Sequence, residues 1–177
     1  MTASVVEQPL PEFLTRPKGF VELAPTHAIR TSEQGVKFIQ GYEKFSEISY
    51  LDQGGLPTIG WGHLIELGVT YSEPMTRAFG DELFRKDLLS TERSVLRLTQ
   101  KPLSQHQFDA LVSFVFNVGA GAYQRSTLRQ MILNNMDSEI PTQFLRWNKV
   151  GGRVSRGLTR RRIAEALMYT QGCYEQG

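Results

Sequence analysis

The stretch YEKFSEISYLDQGGLPTIGWGH, Tyr42 to His63, changes its hydrophobic period partway along. At and before its start, TSEQGVKFIQGYEKF spaces Val36, Phe38, Ile39 and Tyr42 for the inner face of a helix. Thr31 followed by Gln34 fits a capping box that would open it. From Ser46 onward, Ile48 with Tyr50 and Ile59 with Trp61 lie on either side of DQGGLP. That pattern predicts strand, turn and strand, with Gly54 and Gly55 free to take positive φ. Glu43 then falls at or near the end of a helix, Asp52 in the turn, and Thr58 at the start of the return strand, facing Asp52 across the hairpin. A hairpin this small does not fold alone, so the rest of the chain must support it.

The rest reads as helix. SEPMTRAFGDELFRKDLLSTERSVLRL offers Ser72 as a cap and an apolar stripe through Leu83, Phe84, Leu88, Val95 and Leu98. LSQHQFDALVSFVFNVG has a Ser104 cap, a nearly continuous apolar run from Ala110 to Phe116 and a stop at Gly119, which predicts the buried central helix. Shorter helices are expected at about 126–134, 138–147 and 158–171. The expected fold class is α+β, mainly α, with a hairpin lobe over about 46–71, a helical lobe over about 72–171, and a cleft between them for a ligand. Residues 1–31 hold Pro9, Pro11, Pro17 and Pro25 without a sustained period, and read as an N-terminal extension to a domain of residues 32–177.

Composition narrows the classes of function. The 177 residues are 40% apolar and 21% charged, with a formal charge of +2, too mild for a dedicated nucleic-acid binder. Cys173 is the only cysteine, so no internal disulfide forms. The three histidines at 27, 63 and 106 make no ligand motif, and neither metal nor cofactor is expected. No basic and apolar leader opens the sequence, and no apolar run reaches the roughly 18 residues of a membrane span. The expectation is a soluble monomer whose export relies on another factor.

Glycosidic cleavage needs a protonated carboxyl to donate to the leaving oxygen, and a group on the opposite face that attacks or activates water. Glu43, beside Tyr42 and Phe45, is a candidate acid partly withdrawn from water. Asp52 in its polar turn is a candidate ionised partner, with Thr58 placed to help hold a water. Taken singly, each has a plainer use: a surface Glu, an Asp closing its own turn, a Thr fitting the pleat.

The full string is more specific than its polar residues. EKFSEISYLDQGGLPTIGWGH resembles the catalytic stretch of the phage-type lysozymes, glycoside hydrolase family 24, in which Glu, eight residues, Asp or Cys, five residues and Thr recur. The likeness extends through LFRKD, FDALVSFVFNVGAGAYQRSTLRQMI and FLRWNKVGGRVSRGLTRRRIAEAL, over roughly residues 32 to 171. Lys44 departs from the glycine that many members carry after the acid.

This resemblance implies an inverting muramidase that cuts the β-1,4 bond between N-acetylmuramic acid and N-acetylglucosamine of peptidoglycan. Glu43 would be the general acid, with water oriented by Asp52 and Thr58. It further implies a structural ion pair of His63 with Asp87, in place of a proton-transfer role for that histidine. Asn117 would line the sugar cleft, although a helix-terminal Asn can also satisfy its own backbone, and Gly119 would stand near it as a turn residue or contact. Within RVSRGLTRRR, one of Arg160, Arg161 and Arg162 is the expected neighbour of Glu43, with Arg160 the best match, and its charge would oppose the effect of burial on that carboxyl. Trp147, between apolar neighbours, reads as core more readily than as a sugar platform. An endolysin of this kind would gather in the host cytoplasm and reach the wall through a holin. A lytic transglycosylase and an inactive scaffold of the same fold are the alternatives.

Overall fold

The structure, a computed structural model, describes residues 29–52 and 54–176. Most of the expected N-terminal extension, residues 1–28, lies outside the described residues. In chain order the elements are α1 (Glu33–Gln40), β1 (Ser46–Leu51), β2 (Pro57–Gly60), β3 (His63–Leu64), α2 (Arg77–Thr99), α3 (Gln105–Val118), α4 (Ala120–Gln124), α5 (Thr127–Leu133), α6 (Ile140–Leu145), β4 (Lys149–Val150), β5 (Arg153–Val154) and α7 (Arg156–Gln171). A 3-10 turn at Asp137–Glu139 leads into α6. The expected α+β class, mainly helical, is what the chain adopts.

Two helix starts differ from the sequence expectation. Helix α1 is capped by Ser32, whose side chain accepts the N–H of Gly35, and not by Thr31. Thr31 is committed elsewhere: its N–H and hydroxyl both donate to Oε1 of Glu92 on α2, at 2.9 and 2.8 Å. Arg30 adds Nη1 to the other oxygen of that carboxylate at 2.7 Å, so the chain is already anchored before α1 begins. Helix α2 starts at a Thr76 cap and not at Ser72. Residues ahead of it serve the sheet, where the N–H of Met75 donates to the carbonyl of Glu47 at 2.7 Å.

The sheet has order β1-β2-β3, all antiparallel. Tyr50 pairs with Thr58 and Leu51 with Pro57, while an irregularity separates these pairs from Ser46 with Gly60. A third strand, absent from the sequence reading, sets Thr58 against Leu64 and Ile59 against His63. The turn into it depends on Gly60 at φ 65° and Gly62 at φ 96°. A Cβ on Gly60 would also lie 2.9 Å from Sδ of Met75, so a side chain at that position would have to displace Met75.

Helix α3 is the centre of the core, as its apolar run predicts. Phe108, Ala110, Leu111, Val112 and Phe114 are fully buried, and the Ser104–Gln107 capping box fixes its start. Phe114 meets Phe144, Trp147 and Tyr123 edge-on at 5.3, 5.5 and 6.3 Å between ring centres, a favoured aromatic geometry. Helices α1, α2 and α7 pack around α3, so residues at its end and at the end of α1 are placed by one rigid core.

Candidate active site

Glu43 stands three residues beyond the last residue of α1. The N–H groups of Tyr42 and Glu43 still reach the carbonyls of Ile39 and Gln40, so the backbone leaves the helix in an ordered turn. The Glu43 side chain is 25% exposed, and its Oε1 lies 3.0 Å from Nη1 of Arg161. The guanidinium of Arg161 is fully engaged. Its Nε donates to Oε1 of Glu165 at 3.2 Å, its Nη2 to the carbonyl of Ser113 at 3.3 Å, and its plane lies 5.0 Å from the ring centre of Tyr42.

The arginine beside Glu43 is therefore Arg161, which corrects the expectation of Arg160. Arg161, Ala164, Glu165 and Met168 form the inward face of α7, whereas Arg160 is exposed on the opposite side. Charge alone does not separate three consecutive arginines. The helical period of the small and apolar residues downstream is the signal that would.

Arg162, fully buried, sends Nη2 to Oδ1 of Asn117 at 2.7 Å, and its guanidinium lies 5.0 Å from the ring centre of Phe114. Its Nε is 3.2 Å from Oε2 of Glu165, close in charge but without hydrogen-bond geometry. Burial pushes the Glu165 carboxyl up from its ordinary value while both arginine charges pull it back. Burial likewise lowers Arg162, opposed by the charge of Glu165. Tyr42 is raised, first by burial and then by Glu165. Sequence reading missed Glu165 altogether, and marked Arg162 only as one of the arginine run.

Asn117 is exposed on the last turn of α3 and shares a cavity of about 510 Å³ with Val118, Trp147 and Lys149. Trp147 serves two surroundings, being half-buried with its ring against Phe114 and part of its surface on that cavity. Gly119 ends α3 at φ 86° and ψ 150°. It borders a second cavity, of about 410 Å³, together with His63, Asp87 and Phe116.

In the hairpin, Asp52 Oδ1 accepts the N–H groups of Gly54 and Leu56, each at 2.8 Å. This fixes the plane of the carboxylate. Thr58 pairs across the strands with Tyr50 and not with Asp52; it is nearly buried, and its hydroxyl donates to the carbonyl of Leu56 at 3.0 Å. His63 and Asp87 are in contact, as expected: Nδ1 of His63 lies 3.0 Å from both oxygens of Asp87. Among the described residues, no group of three or more His, Cys, Asp or Glu side chains could hold a metal ion.

Comparison with known proteins identifies the family. The family model described as phage lysozyme matches residues 40–165. The endolysin of Bacillus phage PZA is 31% identical over 81% of this chain, which spans 56% of that protein's length. The endolysin of Salmonella phage P22 is 35% identical over 78% of this chain and 97% of its own length. The solved endolysin of Escherichia coli O157:H7 phage FAHEc1 superposes with a TM-score of 0.73 at 29% identity, covering 82% of this chain and 96% of that one. The chain belongs to the phage lysozyme family.

Proposed function

We propose that this chain is a peptidoglycan-cleaving endolysin that hydrolyses the β-1,4 bond between N-acetylmuramic acid and N-acetylglucosamine. The observation that carries the reading is Glu43, a half-buried carboxyl held by Arg161 just beyond α1, on the chain that leads into a hairpin bearing Asp52 and Thr58. Glu43 gives its proton to the glycosidic oxygen as the bond to the anomeric carbon breaks. A water oriented by Asp52 and Thr58 attacks that carbon from the other face and loses its proton toward Asp52. The fixed Asp52 plane and a Thr58 hydroxyl whose own proton is already committed both favour an acceptor role toward that water. Such a course inverts the anomeric configuration, with about 6.5–9.5 Å between the two carboxyl groups.

Asn117 and Gly119 are assigned to the sugar cleft, with His63 and Asp87 bracing the sheet against α2. Access to the wall is assigned to a membrane-permeabilising partner of the holin type.

The test is clearing of purified peptidoglycan by wild type and Glu43→Gln. A loss of at least about 100-fold is expected for removal of a general acid. Equal clearing by both overturns the assignment. Reducing ends in the product mark hydrolysis, whereas anhydro-muramic ends would mark a lytic transglycosylase.

A further inference from the structure

We propose that Glu165 is a positioning residue of the reaction, one buried carboxylate that aims Arg161 at Glu43 and Arg162 at Asn117. The inference rests on the reading of Glu43 as the acid. Successive residues on a helix diverge by about 100°, so the far ends of two adjacent arginines tend to part. Here they address two places: Arg161 reaches the carboxyl that follows α1, and Arg162 the amide at the end of α3. Glu165, four residues after the first and three after the second, is the spacing from which one side chain meets both. Its Oε1 accepts from Arg161 and from the hydroxyl of Ser113 at 2.7 Å, and its Oε2 faces Arg162.

Stability alone is a poor reason for this arrangement. Glu165 and Arg162 are wholly shielded from water, and an apolar pair of similar volume generally serves folding as well as a buried ion pair does. What an apolar pair would not do is orient two guanidinium groups. The charges also balance, since two arginines face two carboxylates, Glu165 and Glu43. Arg160 and the Tyr42 phenol are the other titratable groups bearing on this corner. Removing the charge of Glu165 leaves Arg161 with Glu43 as its remaining carboxylate partner, which favours the ionised form of Glu43.

The experiment compares pH profiles of kcat/KM, together with Tm, for wild type, Glu165→Gln and Glu165→Asp. In Glu165→Gln the alkaline limb is expected to move to lower pH by about half to one unit, because the acid gives up its proton sooner. Glu165→Asp keeps the charge but shortens the arm, so the limb is expected to stay while kcat falls several-fold. A lowered Tm with an unmoved limb in Glu165→Gln overturns the proposal, as does wild-type kcat in Glu165→Asp. The second variant decides if the first does not fold. Glu43→Gln is assayed in parallel: if it still lyses, the underlying reading fails, whereas an inactive Glu43→Gln with an unmoved Glu165→Gln profile sinks this inference alone.

Discussion

Asp52 and Thr58 hold the two ends of one residue: the carboxylate of Asp52 accepts the N–H of Leu56, and the hydroxyl of Thr58 donates to its carbonyl. The turn and the proposed water site are thus one hydrogen-bonded unit, and the two functions of Asp52 are separable. Asparagine keeps an oxygen that accepts both N–H groups but loses the charge. Asp52→Asn is expected to keep wild-type Tm and lose about 100-fold or more in lysis. Asp52→Ala should lose the same activity together with about 1 kcal/mol of stability. Thermal melts beside turbidity assays check both.

The pairing of His63 with Asp87 ties β3 to α2, with side chains 19% and 30% exposed. A partly shielded, charge-assisted contact is worth about 1 kcal/mol or somewhat more. A double-mutant cycle on His63→Ala and Asp87→Ala is expected to give a coupling of that order. The kcat of each folded variant should stay within a few-fold of wild type. A loss of 100-fold in either would instead give the pair a direct part in the chemistry.

What the sequence made legible follows from how local each signal is. The change of period at Ser46, the Ser104 cap, and the Gly119 stop are decided within a few residues, and they appear where the pattern places them. Thr31 and Ser72 are as good as caps by type, but Glu92 and the edge of the sheet compete for the backbone around them, and those partners are distant in sequence. The strand His63–Leu64 and the hairpin of β4 and β5 are two-residue elements, too short to show a period. The site divides in the same way. Glu43, Asp52 and Thr58 lie on one contiguous string, whereas Arg161 and Glu165 join it across more than a hundred residues, through a helix face that charge pattern alone does not reveal.

Asp109 gathers donors from three parts of the chain. The N–H and hydroxyl of Ser32, Nε2 of Gln105 and the hydroxyl of Tyr174 all converge on this fully buried carboxylate. Burial, and then the contact with Asp109, push the Tyr174 hydroxyl up to about 12. The folded chain therefore keeps this proton at pH values where the unfolded chain, near its ordinary value of about 10, has released it. The stability tied to that proton is complete below about pH 10 and is lost as pH rises toward 12. Tyr174→Phe is expected to be less stable than wild type at pH 8, with the gap narrowing between pH 10 and 11.5 in urea unfolding. Tyr42, Tyr123 and Tyr169 are also raised by burial, so it is the difference between the two proteins, not the slope of either, that isolates Tyr174.

Gly119 combines a backbone that only glycine adopts easily with open space where a side chain would go. At φ 86° and ψ 150° any Cβ is strained, yet no atom lies within 4 Å of where it would stand. Gly119→Ala is therefore expected to cost about 1–3 kcal/mol through conformation and not through collision. Its amide also donates to Val115 and its carbonyl accepts from Tyr123, so the strain falls on the joint between α3 and α4. Gly119→Leu carries the same strain and adds bulk toward the cavity shared with His63 and Asp87. Both variants are expected to melt earlier by similar amounts, while KM rises chiefly in Gly119→Leu under the proposed assignment of Gly119 to the sugar cleft. If KM in Gly119→Leu stays at the alanine value, Gly119 serves only the turn, and the cavity beside His63 lies off the path of the sugar.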